Sequence, residues 1–279
     1  MTVTITPLGP PLGAEATGVD LAGTVSDDDA EALRTALREH LVLIIRGQKL
    51  DPGQYVDGMK IFGEPIEQNE KNLVVPGHPE ITQLDSRTAV STQEDGRKMP
   101  IGSRDWHTDH TNRREPPKMT ALLAIQLPSS GGDTGFANMQ SAYEGLDTAE
   151  REKLDAMKTV NALLRKNDYT DDETLQQSQK DAQTHPFIRT HPETGKRAIY
   201  VHPAKLAHFE GWTPEASKEY LYDLLDRVIT PDVIYRHKWQ DGDLVIWDNR
   251  ALMHLAYTDY DLSEGRIMQR ICLAGDVPA

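Results

Sequence analysis

Cysteine is almost missing from this chain, with Cys272 the single example among 279 residues. No internal disulfide can form, and a reducing, cytoplasmic compartment is expected. No apolar run approaches the roughly eighteen residues needed to cross a bilayer, and no apolar h-region stands near the N-terminus, so neither membrane spanning nor secretion is expected. Basic charge is also scarce. Lys and Arg number 30 against 44 Asp and Glu, a formal net charge of −14, which repels polyanions and argues against nucleic acid or an anionic membrane as partner. The acid is densest at Ser26-Asp27-Asp28-Asp29 and Asp171-Asp172-Glu173, where a helix N-terminus or a solvated loop accounts for it.

What is present suffices for one large domain spanning residues 1–279, with neither an internal repeat nor a linker dividing it. Ala30, Leu33 and Leu37 after the first acidic run predict a helix, and Leu41 to Ile45 a buried strand. A second helix is expected from Asp51 to about Phe62. The mostly apolar stretch Met119 to Leu127 reads as a central strand, followed by helices over about 139–146 and 148–160 and another from Pro214 to about Val228. Later strands are expected at Phe187 to Thr190, Ala198 to Val201, Val233 to Arg236, Leu244 to Trp247 and Arg266 to Leu273. The polar segment 85–104 reads as a loop at the mouth of a site, and 165–184 as a polar lid. Many short strands with a few helices make the chain mainly β with helical decoration, a sandwich or barrel.

The chemistry concentrates in Arg104-Asp105-Trp106-His107-Thr108-Asp109-His110. On an extended backbone residues i and i+2 share a face, so His107 and Asp109 can bind one cation together. One further His would complete a facial two-His-one-carboxylate set, leaving three adjacent positions of an octahedral Fe(II) open for a cosubstrate and dioxygen. Ten histidines are available, and spacing alone does not choose among them.

Motifs along most of the chain accompany that tripeptide in order: Ile5-Thr6-Pro7-Leu8-Gly9, Gly18-Val19-Asp20-Leu21, Gly131-Gly132-Asp133-Thr134, Arg189-Thr190-His191-Pro192-Glu193-Thr194-Gly195, Ile246-Trp247-Asp248-Asn249-Arg250 with His254, and Arg266-Ile267-Met268-Gln269-Arg270. Together they resemble the taurine dioxygenase family of Fe(II)/2-oxoglutarate-dependent oxygenases. The resemblance implies a double-stranded β-helix, or jelly-roll, core. It implies His254 as the third metal ligand, and Arg266 with Thr134 as the partners of the 2-oxoglutarate carboxylate. It further implies oxidative decarboxylation of 2-oxoglutarate with O2, coupled to hydroxylation of an unactivated C–H bond, with loss of a leaving group where that carbon bears a heteroatom. A bound Asp109 carboxylate favours hydroxylation over halogenation. His185, His191 and His202 read as structural.

Alternation along the last strand sets Arg266, Met268, Arg270 and Cys272 on one face. A second inward arginine is costly without an anion, so Arg270 predicts a small anionic substrate: a carboxylate, sulfonate, sulfate or phosphonate. Cys272 reads as a packing residue. Two positions depart from taurine dioxygenase, Gln68 after Phe62-Gly63-Glu64 where a His is expected, and His110 where an aliphatic residue is expected. Both become candidate substrate contacts and turn the expectation away from taurine itself. Arg104, Arg113 and Arg114 flank the motif and add positive charge at the mouth. Two competing functions are a non-redox metal-dependent hydrolase or isomerase on the same barrel, and a non-catalytic ligand-binding member. The Arg266 and Thr134 match opposes the first, and retention of all three ligands opposes the second. Association into a homo-oligomer is compatible with the sequence.

Overall fold

The first acidic run does begin a helix, α1 (Asp27–His40), because the extended Ser26 accepts the Asp29 amide on its side chain while three carboxylates fill the first turn. In this computed structural model the described residues are 2–68, 71–92, 98–100, 105–166 and 169–279. Strands β1 (Thr4–Pro7) and β2 (Ala14–Thr17) precede α1, and β3 (Val42–Ile45) and α2 (Pro52–Met59) follow it, the latter opened by a capping box between Asp51 and Gln54. The chain continues through β4 (Val74–Val75), β5 (His78–Asp85), β6 (Val90–Thr92), β7 (Lys98–Pro100), β8 (Met119–Gln126), β9 (Thr134–Asn138), α3 (Met139–Glu144), α4 (Thr148–Asp155), β10 (Lys158–Asn161) and α5 (Asp172–Lys180). It ends with β11 (Gln183–Pro186), β12 (Ile188–Thr190), β13 (Arg197–Ile199), β14 (Leu206–Phe209), α6 (Pro214–Val228), β15 (Ile234–His237), β16 (Leu244–Asp248), β17 (Leu252–Ala256) and β18 (Ile267–Leu273).

An eight-stranded sheet in the order β1-β2-β3-β16-β8-β18-β5-β4 faces a three-stranded one, β15-β9-β17. Between them lies a core containing Val42, Ile44, Leu122, Ala124, Val245, Trp247 and Met268 from the large sheet with Phe136 and Leu252 from the small one. The alternate residues Leu43, Ile45, Ala121, Leu123, Leu244, Ile246, Ile271 and Leu273 pack on the other side of the large sheet against Leu33, Leu37, Tyr55 and Met59 of α1 and α2. Period-two alternation therefore buries both faces of the central strands, which is why they read as continuous apolar runs. A third cluster joins Ala137 and Met253 to α3 and α6. The result is a mainly β jelly roll with helical decoration and no closed barrel. Among the described residues no helix is long and apolar enough to cross a membrane.

The helix expected over 148–160 stops at Asp155, and β10 takes the rest, pairing with both β11 and β14. Thr159 and Asn161 are buried there, and pairing on both sides outweighs the local helical pattern. In the segment expected to be a loop, β6 and β7 pair with each other, and residues 93–97 and 101–104, Arg104 among them, lie outside the described residues. The polar segment 165–184 contains α5, a helix with no buried residue.

The turn after β16 carries a buried charged network. His191 Nε2 lies 3.0 Å from Asp248 Oδ2, Arg250 donates to both Asp248 oxygens, and Arg250 Nη1 reaches Glu193 at 2.8 Å. Burial opposes the Asp248 charge, yet the hydrogen bonds from Arg250 and His191 hold its carboxyl far below the usual range. Replacing Asp248 by Ala removes the buried partner of the Arg250 guanidinium and leaves it only the exposed Glu193, which is expected to cost about 3–5 kcal/mol in urea unfolding. Because the folded pKa is depressed, the Asp248 contribution is full above about pH 4, the ordinary carboxylate range, and fades as pH falls below it. A loss under about 1 kcal/mol, within the range of an exposed ion pair, would show that the network contributes no stability.

Candidate active site

Two backbone hydrogen bonds build the centre of the site: His107 N to His254 O at 3.1 Å and His254 N to His107 O at 2.8 Å. They form an isolated antiparallel bridge. His254 belongs to β17, paired residue for residue with β9, where Leu252 points into the inter-sheet core and Met253 into the outer cluster. Parity therefore turns His254 inward, beside the Trp247 ring at 4.8 Å between centroids. On the opposite edge Thr108 N donates to Val201 O, which sets the His202 ring 4.8 Å from that of His107.

The three candidate ligand atoms of His107, Asp109 and His254 lie within 4.8 Å of one another, and all three residues are buried. Both Nε2 atoms stand 3.8 Å from the same oxygen, Asp109 Oδ1. Cis ligands of an octahedral cation are about 3 Å apart at bond lengths near 2.1 Å, so closure on a metal needs a contraction of less than about an ångström for each His–Asp pair. The donors are in the right states. His107 Nδ1 donates to Asp105 O at 2.9 Å, which leaves the Nε2 lone pair facing the carboxylate. Burial pushes His107 down in pKa and His254 to about 3, so both imidazoles are neutral at pH 7. Burial also works against the Asp109 charge, yet its carboxyl lies well below the usual range, and of the groups around it the Arg270 guanidinium is the one that stays cationic at pH 7.

The second cluster is cationic. Arg266 Nε donates to Gly132 O at 3.0 Å, and Thr134 Oγ1 accepts from Trp239 Nε1 at 3.1 Å, with the Arg266 guanidinium 5.6 Å from the Trp239 ring. Gly132 has φ +71, and a Cβ there would sit 3.1 Å from Arg266 Cδ, so glycine allows the approach. Nearby Asp133 and Asp259 are both taken by Arg236, at 2.7 and 2.6 Å. Among the described residues Arg266 makes no ion pair, and desolvation lowers its pKa. It also lines a cavity of about 40 Å³ with Tyr257 and Tyr260. An always-charged fork beside a hydroxyl fits the distal carboxylate of a keto acid.

Arg270 donates to Gln68 Oε1 at 3.4 Å, so two of the candidate substrate residues meet. His110 adopts a left-handed φ of 51 directly after Asp109, within the field of Arg270 and Lys205. Cys272 is buried and packs on Thr120, as expected. Of the flanking arginines, Arg113 is half-buried and Arg114 exposed. His191 and His185 are structural, His185 donating to Arg113 O. His202, by contrast, lies against the triad. Trp239, Thr120 and Asn249 also bond within the site, roles that no sequence motif revealed.

Two histidines and one carboxylate at the mouth of a jelly roll make the ligand set of non-haem iron oxygenases. The family model for the taurine catabolism dioxygenase TauD, TfdA family matches residues 4–272, and the chain belongs to that family. Pentalenolactone F synthase of Streptomyces arenae is 31% identical over 99% of this chain and 96% of its own length. An alpha-ketoglutarate-dependent sulfate ester dioxygenase of Pseudomonas putida is 32% identical over 98% and 89%. A taurine dioxygenase from Burkholderia xenovorans superposes with a TM-score of 0.81, at 31% identity, over all of this chain and 91% of its own. The chain is thus an oxidoreductase of the dioxygenase type.

Gly135 binds the site to the small sheet, since a Cβ there would meet Trp106 Cη2 at 2.8 Å and Tyr257 Cε2 at 3.1 Å. Gly135→Ala is expected to displace Trp106, and with it His107, costing about 1–3 kcal/mol of stability and weakening Co(II) uptake by the apoprotein. Wild-type melting and wild-type metal affinity together would show that Trp106 yields freely.

Proposed function

We propose that the chain is an Fe(II)- and 2-oxoglutarate-dependent dioxygenase that hydroxylates a C–H bond of a small anionic substrate. The observation that carries this reading is the convergence of both imidazole Nε2 atoms on one oxygen of Asp109, together with the half-buried Arg266, which has no carboxylate partner among the described residues. His107, Asp109 and His254 would hold the metal by three adjacent positions, leaving three for cosubstrate and dioxygen. When bound, iron with 2-oxoglutarate and O2 supplies the oxidising power for C–H hydroxylation, 2-oxoglutarate leaving as succinate and CO2.

The protein's own groups bind, orient and exclude water. Arg266 and Thr134 receive the distal carboxylate of 2-oxoglutarate. Arg270, seated beside Gln68, pairs with the anionic group of the primary substrate and fixes the target carbon toward the metal. His110 lines the same side. The names of the sulfate ester dioxygenase and the taurine dioxygenase support an anionic substrate for this chain too. The substitutions Gln68 and His110 support one other than taurine. The described residues of segments 85–104 and 165–184, joined where the Tyr169 hydroxyl donates to Val90 O at 2.8 Å, are proposed to border the mouth.

A screen of small sulfonates, sulfates, carboxylates and phosphonates, scored by succinate formation under Fe(II), 2-oxoglutarate and O2, tests the reading. At least one anion should stimulate turnover above the uncoupled rate, and none doing so while neutral compounds do would overturn the substrate class. His254→Ala should abolish metal uptake and turnover with the fold intact, and full iron content in that variant would remove the ligand assignment. Arg266→Ala should weaken 2-oxoglutarate binding by about 2–5 kcal/mol, the scale for truncating one partner of a buried charge pair. An unchanged requirement would place the carboxylate elsewhere.

Arg270→Ala is expected to spare metal and 2-oxoglutarate binding while losing substrate-stimulated succinate formation. Arg270→Lys should recover only part of it, because a point charge lacks the bidentate fork. Retained stimulation in Arg270→Ala would refute the assigned role.

A further inference from the structure

We infer that Thr120, with Asn249 and Trp247 behind it, is a positioning relay that keeps Asp109 a one-oxygen ligand. The inference rests on the metal assignment proposed above. Thr120 Oγ1 donates to Asp109 Oδ2 at 2.6 Å, Asn249 Nδ2 donates to Thr120 Oγ1 at 2.8 Å, and Trp247 Nε1 donates to Asn249 Oδ1 at 3.1 Å. Thr120 and Asn249 are wholly buried, and Trp247 is 1% exposed.

The direction of every proton in this chain is fixed by chemistry. An indole N–H can only donate, so the Asn249 oxygen must face Trp247 and its amide nitrogen must face Thr120. With one lone pair receiving that amide, the Thr120 hydroxyl turns its hydrogen to Asp109 Oδ2, the strong acceptor within reach among the described residues. Cys272 Sγ, 3.8 Å from Thr120 Oγ1, is a weak alternative.

The consequence falls on the two oxygens of Asp109. Oδ2 is engaged by a short charge-assisted hydrogen bond, while Oδ1 alone faces both histidine Nε2 atoms. Chelation through both oxygens would compete with the Thr120 hydroxyl for Oδ2 and leave that donor only the weak Cys272 Sγ in a dry interior. The relay therefore guards the coordination positions that the cosubstrate and dioxygen need. The same residues anchor the motif from behind, since Thr108 Oγ1 donates to Asn249 O at 2.7 Å and Asn249 N to Lys118 O at 2.9 Å.

The test uses the full-length apoprotein titrated with Co(II), following affinity by calorimetry and ligand geometry by the visible d–d bands. Uptake by wild type and its loss in His254→Ala check the metal assignment on its own. Thr120→Val keeps the shape and removes the donor, and should weaken Co(II) binding about 10–100-fold, the range for losing an outer-shell partner of a metal ligand, with altered bands. Thr120→Ser restores the hydroxyl and should stay within about threefold of wild type, since the hydrogen bond rather than the methyl carries the effect. If Thr120→Val does not fold, Thr120→Ala carries the same expectation. Wild-type affinity and bands in the Val or Ala variant, or a folded Ser variant as impaired as Val, would overturn the relay while leaving the metal assignment standing.

Discussion

The pair of backbone hydrogen bonds joining His107 to His254 is the constraint on which the site rests. It brings a loop-borne residue and a strand-borne residue, far apart in sequence, into one antiparallel pair, and so fixes both side chains on one face. Because the bridge is isolated, its orientation is set from outside. The β17–β9 ladder holds one partner, and the hydrogen bond from Thr108 to Val201 holds the other. Shifting either edge by one residue would reverse the face that carries the imidazole.

Around that bridge, arginines divide according to what satisfies them. Arg250 is saturated by Asp248 and Glu193, and Arg236 by Asp133 and Asp259. Each arrangement pairs a guanidinium with carboxylates of the protein and contributes to the fold. Among the described residues the Arg266 guanidinium has a backbone carbonyl and the face of Trp239, and no carboxylate. Asp133, whose charge Arg266 feels, is instead paired with Arg236. The ion pairs of one arginine thus leave the other open to a ligand, and desolvation makes an incoming carboxylate valuable there.

How much of this was legible in the sequence follows from range. Ser26 and its carboxylates gave away α1, and Thr213-Pro214 marks α6, because capping acts within four residues. His107 and Asp109 were legible for the same reason, being two residues apart on extended chain. His254 was not reachable by spacing, only by resemblance, because its partner is made by sheet pairing. The alternation from Met268 to Cys272 holds because the irregularity against β8 falls on Ile125, the unpaired residue of β8, and not on β18. Thr120 lay hidden in an apolar strand, where a threonine usually signals only β propensity. The helix expected beyond Asp155 failed where pairing with two distant strands decided the outcome.

Charge separates into two scales. The net charge of −14 sets a repulsive outer field for anions, but salt screens exposed charges over about 8 Å at physiological ionic strength. Arg266 and Arg270 act closer in, where low dielectric and fixed geometry strengthen each contact. In the proposed reading, recognition of the anionic cosubstrate at Arg266 and of the primary substrate at Arg270 is decided after entry, by hydrogen-bond geometry, rather than by attraction from a distance. An acidic surface and two inner arginines are consistent for that reason: the first repels polyanions over the screening length, and the second would pair with the small anions of the proposed reaction.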